Sequence, residues 1–296
     1  METYVIHVTK KCNADCVYCY EDDKVSTYTW NEVKHFIDKI IENRTSDTFG
    51  IEFLGGEPLL AWDNVRKSYE YLESFPDLDV NFYGITTNGT IMSEEIADYL
   101  SKNPKMFFAA SLDGNKWSNQ LRVFKESRVN TYDKVMENLE YLREFGVEGS
   151  VHMVTHPYNV AFIAQSIRHL YKKGVRSIDP GIVESTMPID QEFADRYIYE
   201  LDLISKEIVD GKMPDLHIGV LSWLKPYEDI RSYIRDPETG KVIGETYGRS
   251  GDDITSSKEF IVSQSKGHDA TSELIYKIRK TSYDNHQKRL RDSQSE

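Results

Sequence analysis

The sequence reads Cys12-Asn13-Ala14-Asp15-Cys16-Val17-Tyr18-Cys19 directly after an alternating apolar segment, residues 4–9. These are the only 3 cysteines of the 296-residue chain, and none follows Cys19. Cysteines confined to one short loop do not form a disulfide framework. Their thiolates instead favour a zinc ion or an iron-sulfur cluster.

Three thiolates are compatible with two kinds of metal site. A structural zinc ion normally takes four protein ligands from two separated pairs, and the sequence has no second cysteine pair. His7 or a distant histidine could complete a zinc site, so zinc remains an alternative at this point. On a cubane cluster, three cysteines leave one iron without a protein ligand. Such an open position is a catalytic feature, as it is for catalytic zinc.

The composition limits the possible functions. The formal charge of -13 would repel a phosphate backbone, so nucleic acid is disfavoured as a partner. Hydrophobic residues make up 39% of the chain, which is enough for a folded core. The N-terminus lacks the pattern of a signal peptide, and no apolar run is long enough to span a membrane. We therefore expect a cytoplasmic protein with no membrane partner.

Short apolar runs alternate with longer amphipathic runs over the first two thirds of the chain. This alternation predicts an α/β fold, in which a parallel sheet carries helices on its outside. The predicted strands are residues 4–9, 50–54, 81–86, 106–112, 150–154 and 175–182. The predicted helices are residues 29–43, 65–75, 93–100, 132–145, 160–171 and 191–209.

Polar motifs follow three of the predicted strands. Gly55-Gly56-Glu57-Pro58 follows the second, where adjacent glycines let a backbone approach a ligand and Glu57 supplies an anion for an ammonium group. Thr86-Thr87-Asn88-Gly89-Thr90 follows the third, and Ser111-Leu112-Asp113-Gly114 follows the fourth. Ligands collect at the carboxyl ends of parallel strands. Taken singly, each motif is also compatible with an ordinary turn.

The CxxxCxxC loop, with Tyr18 immediately before the third cysteine, resembles the signature of the radical S-adenosylmethionine (radical SAM) superfamily. The GGEP motif is similar to one that the family places after the same strand. The resemblance covers about residues 3–210 and implies a partial (β/α)6 barrel, open on one side. It also implies one [4Fe-4S] cluster on Cys12, Cys16 and Cys19. The reduced cluster would cleave S-adenosylmethionine to a radical that abstracts a hydrogen from the substrate.

The resemblance also implies which residues contact S-adenosylmethionine. Tyr18 is expected near the adenine, and Arg122 at the methionine carboxylate, although a lone loop arginine is more often a solvated charge. The ammonium group is expected at the GGEP loop, formed by Gly55, Gly56, Glu57 and Pro58. The ribose and carboxylate positions are matched by Thr87, Asn88, Ser111 and Asp113.

The order of the motifs looks most like the branch that modifies peptides or proteins, which includes sulfatase-maturing enzymes. Those enzymes usually carry a cysteine-rich C-terminal extension for auxiliary clusters, which this sequence lacks, so a mechanism that needs such a cluster is not expected. We expect hydrogen abstraction from a peptide side chain or a small metabolite, with electrons from an external donor such as a flavodoxin or ferredoxin. The alternatives are an enzyme that modifies a nucleoside or nucleotide, and a non-catalytic metal-binding scaffold.

The remaining sequence gives weaker signals. Residues 1–213 are predicted to form the barrel, and residues 214–296 a mixed or helical extension that covers its open side and ends in a flexible tail. The extension contains an apolar segment near Trp223 and Tyr227, a loop at residues 247–257 and a charged helix at residues 272–291. His152, Asp179 and Glu184 are candidates for substrate contact or proton transfer, or else structural polar groups.

Overall fold

A parallel sheet, open at one side, forms the centre of the fold. The computed structural model describes residues 2–21, 24–44, 46–183, 186–222, 231–235, 242–247, 261–264 and 270–294. Seven strands pair in parallel and in chain order: β1 (Glu2–Thr9), β2 (Thr48–Gly55), β3 (Asp79–Thr87), β4 (Met106–Ser111), β5 (Ser150–Thr155), β6 (Ser177–Ile182) and β7 (His217–Ile218). The sheet does not close on itself, which confirms the predicted α/β partial barrel.

The connections between the strands are helical. The helices are α1 (Trp30–Asn43), α2 (Trp62–Glu73), α3 (Glu94–Lys102), α4 (Tyr132–Glu144), α5 (Ile163–Lys172), α6 (Gln191–Val209), α7 (Gly219–Ser222) and α8 (Ala270–Gln294). Short 3-10 turns lie at Pro58–Ala61 and Val160–Phe162. In the described part of the chain, each helix is too short or too polar to cross a membrane.

Helix α1 shows how the sequence specifies this packing. The Thr29 hydroxyl accepts a hydrogen bond from the Glu32 backbone N–H, while the Glu32 carboxylate accepts one from the Thr29 backbone N–H. This capping box satisfies donors that the first turn would otherwise leave free. The apolar side chains recur at steps of three and four, and they lie in the core between helices and sheet: Val33, Phe36, Ile37 and Ile40.

The predicted elements differ from the observed ones mainly at their ends. Strand β6 begins at Ser177 instead of residue 175, and α2 begins at Trp62 instead of residue 65. Strand β7 was not predicted, because a strand of 2 residues has no detectable alternation. Glu184, Trp223, Tyr227 and most of the predicted loop at residues 247–257 lie outside the described residues.

The C-terminal part adds strands to the sheet beside β1. Strands β8 (Arg231–Arg235), β9 (Val242–Tyr247) and β10 (Ile261–Gln264) are antiparallel, and β9 pairs with β1. Helix α8 packs at the other side against α6, where Arg289 forms an ion pair with Asp202 at 2.8 Å. It extends beyond the predicted helix at both ends. That residues 214–296 cover the open side of the barrel remains a prediction.

We expect Ile278→Ala to destabilise the protein, because Ile278 of α8 is 1% exposed and belongs to the main core. Truncating a buried isoleucine costs about 2–4 kcal/mol of the free energy of unfolding. Urea denaturation of the metal-free protein measures this. The control Lys277→Ala removes only a solvent-exposed pair with Glu273 and should change stability by less than about 0.5 kcal/mol. Equal effects of the two substitutions would show that α8 does not contribute to the core.

Candidate functional site

The cysteine loop follows β1 and is held by a second loop that follows β4. The Asp15 backbone N–H donates to the Val123 carbonyl at 2.8 Å, and the Val17 N–H donates to the Leu121 carbonyl at 3.0 Å. Asp15 also forms ion pairs with Lys24 and Arg128, and the hydrogen bonds and charges of these two side chains lower the pKa of its carboxyl group. The loop is therefore fixed in place by contacts outside the cysteines themselves.

The environment of the thiols opposes their ionisation. Burial raises the pKa of the Cys16 thiol to about 11, although the positive charge of Arg122 acts in the opposite direction. Burial also raises the pKa of Cys12. Metals bind the thiolate form, so the positive charge of a bound metal would offset the cost of burial. Donors already lie near two sulfurs, with Asn88 Nδ2 3.8 Å from Cys12 Sγ and Arg122 Nη1 4.0 Å from Cys16 Sγ.

The GGEP loop lies directly against the cysteine loop. The Gly56 N–H donates to the Thr9 carbonyl at 2.9 Å, and the Glu57 N–H donates to the Lys11 carbonyl at 2.9 Å. A Cβ atom on Gly56 would lie 2.2 Å from the Lys10 carbonyl oxygen, and Gly55 has a φ of 131°. Only glycine allows both this close approach and this backbone conformation.

Glu57 lies inside the protein rather than on the surface of its loop. Its side chain is fully buried, and its carboxylate accepts hydrogen bonds from the Leu59 N–H at 3.0 Å, the Thr87 hydroxyl at 2.6 Å and the Asn88 N–H at 2.6 Å. Burial raises the pKa of this carboxyl to about 7, against the opposing effect of the hydrogen bonds. The carboxylate thus joins the β2 loop to the end of β3.

We expect Gly56→Ala to separate the two loops and to destabilise the protein by about 2 kcal/mol or more, because the contacting atoms are backbone oxygens that cannot move aside. Thermal and urea denaturation of the metal-free protein measure the loss. Gly84→Ala is the matched control, since the nearest atom to a Cβ there would be Glu52 Cγ, at an ordinary contact distance of 3.5 Å. A Gly56→Ala variant as stable as the control would contradict the close contact.

We expect Glu57→Gln to alter the pH dependence of stability. Below the ordinary pKa of 4.5 the carboxyl is neutral in both the folded and the unfolded chain. As the pH rises from there through about 7, this carboxyl ionises first in the unfolded chain. The free energy of unfolding of the wild type therefore falls by about 2–3 kcal/mol, whereas that of the variant does not. Urea unfolding at about pH 5 and about pH 8 measures the difference. The control Glu126→Gln, at an exposed site, should show the same pH dependence as the wild type. The same pH dependence in Glu57→Gln would refute the raised pKa of Glu57.

A set of amide and hydroxyl side chains connects the third strand to the cysteine loop. Asn88 Nδ2 donates to Asn13 Oδ1 at 2.7 Å, and Asn13 Nδ2 donates to the Thr90 hydroxyl at 2.9 Å. The Thr90 N–H in turn donates to Asn88 Oδ1 at 2.9 Å. Asn88 was a predicted site residue, whereas Asn13 and Thr90 were not, although both lie inside the motifs quoted from the sequence. Asn88 therefore links the loop after β3 to the cysteine loop.

A buried carboxylate lies at the centre of the β4 and β5 side of the site. Asp113 accepts hydrogen bonds from the Tyr18 hydroxyl, from Arg122 Nε at 2.9 Å and from the Val154 N–H at 2.9 Å. The Arg122 guanidinium carbon also lies 5.2 Å from the centre of the Tyr18 ring. The alternative that Arg122 is a solvated charge is wrong, since it is 7% exposed and paired.

His156 is a site residue that the sequence analysis missed. It directly follows β5, its ring lies 5.4 Å from the Tyr18 ring, and it is fully buried. Its backbone N–H donates to Asn159 Oδ1 at 2.8 Å. The only available signal was its position just beyond the carboxyl end of a predicted strand, which ended at Val154 in the prediction.

The inner face of the sheet carries a histidine and a carboxylate side by side. His152 Nδ1 lies 3.3 Å from Asp179 Oδ2, and the side chains are 39% and 50% exposed. Burial alone would lower the pKa of His152, but the hydrogen bond and charge of Asp179 raise it. His152 is in register with Ser111 on one side and with Asp179 on the other, so the three residues form a row across β4, β5 and β6.

A model of the radical SAM superfamily matches residues 6–178, which is more than half of the chain. The chain belongs to the radical SAM superfamily. The cysteine-type anaerobic sulfatase-maturating enzyme of Clostridium novyi is 24% identical to it over 235 residues, covering 75% of this chain and 59% of that enzyme. The GTP 3',8-cyclase of Clostridium perfringens is 28% identical over 219 residues, covering 70% of this chain and 64% of that enzyme.

Solved radical SAM structures show the same fold. Native anSMEcpe with bound AdoMet and Kp18Cys peptide has a TM-score of 0.65 and 20% identity, covering 75% of this chain and 64% of that one. At this identity the likeness concerns the fold alone. The chain spans less than two thirds of the length of each of these three relatives.

Radical SAM proteins use an iron-sulfur cluster together with S-adenosylmethionine, and the residues present fit such a cluster. The three cysteines share one loop, with N–H donors near Cys12 and Cys16, as in proteins where hydrogen bonds to sulfur tune a cluster. In the part of the chain that the structure describes, no three His, Cys, Asp or Glu side chains converge on a point where one metal ion could bind.

Proposed function

We propose that this protein binds one [4Fe-4S] cluster through Cys12, Cys16 and Cys19 and acts on S-adenosylmethionine bound beside it. The cluster, when bound and reduced, would supply the electron that splits S-adenosylmethionine and starts hydrogen abstraction from a substrate. One observation carries this proposal. Residues 9–11, which lead into the cysteine loop, lie in backbone contact with the GGEP loop, so the three thiols and the motif proposed to bind the ammonium group share one corner of the sheet.

The proposed S-adenosylmethionine site has two kinds of residues. Those proposed to face the ligand are Gly55, Gly56, Tyr18, Ser111 and Arg122, with the buried carboxyl group of Glu57 behind the ammonium group. The Arg122 charge would hold the methionine carboxylate as an ion pair. Other residues act through their neighbours: Pro58 starts the turn that contains the Glu57 hydrogen bond, Thr87 and Asn88 hold Glu57, and Asp113 orients Arg122.

The inner face of the barrel is the proposed substrate side. The row of Ser111, His152 and Asp179 leads from the S-adenosylmethionine site into the open interior. Because Asp179 holds His152 Nδ1, the opposite nitrogen of His152 can contact a substrate or hold a proton. The barrel wall would meanwhile keep water away from a reactive intermediate.

The substrate class is proposed from the relatives. The anaerobic sulfatase-maturating enzymes and the peptide-bound anSMEcpe structure favour a peptide side chain as the substrate. The GTP 3',8-cyclase relative supports a nucleotide as the second candidate. The reducing electron is proposed to come from a flavodoxin or ferredoxin in the cytoplasm. Release of 5'-deoxyadenosine that is stimulated by peptides but not by nucleoside triphosphates would favour the first class, and the reverse result the second.

We expect anaerobically reconstituted protein to release 5'-deoxyadenosine when it receives dithionite and S-adenosylmethionine. Cys16→Ala should reduce this release to background, because the two thiolates that remain can bind only two of the four irons and do not retain the cluster. Chromatography of the quenched reaction measures the product. Lys102→Ala, on the exposed end of α3, is the control and should retain wild-type release.

Three outcomes would overturn the proposal. About one zinc per chain, with no iron even after reconstitution, would exclude the cluster. Cleavage that persists in the Cys16→Ala variant would show that the assigned ligand is wrong. A stable cluster without any release of 5'-deoxyadenosine would support the alternative of a non-catalytic metal-binding scaffold.

A further inference from the structure

We propose that His156 binds the nucleoside half of S-adenosylmethionine by donating a hydrogen bond from Nε2. This inference rests on the proposed function, because it requires S-adenosylmethionine at the carboxyl edge of the sheet. It adds a ligand contact at a position that lies outside all of the motifs identified in the sequence.

The observation behind this proposal is a buried donor. His156 is 0% exposed, and its Nε2 atom has no hydrogen-bond partner among the described residues. The other ring nitrogen, Nδ1, accepts a hydrogen bond from the Tyr158 backbone N–H at 3.3 Å. Burial lowers the pKa of the ring, so it is neutral and carries its one proton on Nε2. Buried N–H groups without an acceptor are rare in native proteins, which indicates that a ligand supplies the acceptor.

The ring is fixed in its orientation before any ligand binds. Asn159 accepts a hydrogen bond from the His156 N–H at 2.8 Å and donates one to the Val154 carbonyl at 3.0 Å. Tyr18 packs against the imidazole face, and its own hydroxyl is bound to Asp113. Because the imidazole ring is held by the Tyr158 backbone and by the Tyr18 ring, its N–H donor loses little conformational freedom when a ligand binds.

The position of His156 along the sheet identifies the half of the ligand that it meets. The ammonium anchor follows β2, whereas His156 follows β5, and β3 and β4 lie between them. Neighbouring strands are about 4.8 Å apart, so the two loops are separated by roughly 14 Å. A ligand held by its amino acid end beyond β2 reaches β5 only with its nucleoside end. The purine nitrogens and ribose oxygens of that end are hydrogen-bond acceptors.

The test is His156→Phe, which keeps an aromatic ring beside Tyr18 and removes the donor. Equilibrium dialysis of reconstituted protein measures the dissociation constants of S-adenosylmethionine, 5'-deoxyadenosine and L-methionine. We expect about tenfold weaker binding of the first two ligands and unchanged binding of L-methionine. His156→Gln, which retains an N–H donor, should recover part of the loss. His169→Phe, on α5 and bonded to the Tyr132 hydroxyl, is the control and should bind all three ligands like the wild type.

Two results would overturn the proposal: a His156→Phe variant that binds 5'-deoxyadenosine like the wild type, or one that loses L-methionine to the same degree. Iron content and thermal unfolding verify that each variant is folded. If His156→Phe is not folded by these two criteria, His156→Ala replaces it, and the same changes in binding are expected. A wild type that binds no S-adenosylmethionine would instead refute the proposed function, so the two failures are distinguishable.

Discussion

The backbone contact between the cysteine loop and the GGEP loop is the constraint on which the site depends. Two hydrogen bonds, from Gly56 to Thr9 and from Glu57 to Lys11, join segments that follow adjacent parallel strands. Side chains at Gly55 or Gly56 would collide with the carbonyl oxygens of residues 9–11, which lead into the cysteine loop. The position of the thiols is therefore set by the absence of side chains on the neighbouring loop, and the pairing of β1 with β2 fixes both loops relative to the core.

Buried polar groups extend this arrangement across the edge of the sheet. Glu57 connects the ends of β2 and β3, and Asp113 connects β4 to β5 while it also binds Tyr18 of the cysteine loop. Each carboxylate has three hydrogen-bond donors, which is what makes a buried charge tolerable. The loops consequently form one network, so a change at Asp113 is expected to reach the cysteines through Tyr18 and Arg122.

The fold and the main motifs could be predicted from the sequence because they depend on local patterns. Helical periodicity and short apolar runs located β1 to β6, and the spacing of the cysteines indicated the family. The roles of single side chains were less accessible, because burial is a tertiary property. Glu57 was expected to face a ligand yet accepts three internal hydrogen bonds, and His156 carried no motif at all. Strand β7 was missed since it is 2 residues long.

The two sides of the site differ in their exposure to solvent, and this difference has a functional consequence. Along the edge of the sheet Glu57, Asp113 and His156 are fully buried, whereas His152 and Asp179 on the inner face are 39% and 50% exposed. Buried donors and charges are held in one geometry, which suits a ligand that is the same in every turnover. Half-exposed groups can adjust to different partners at little cost. The S-adenosylmethionine site proposed above would therefore lie along the rigid edge, and the proposed substrate site along the half-exposed inner face.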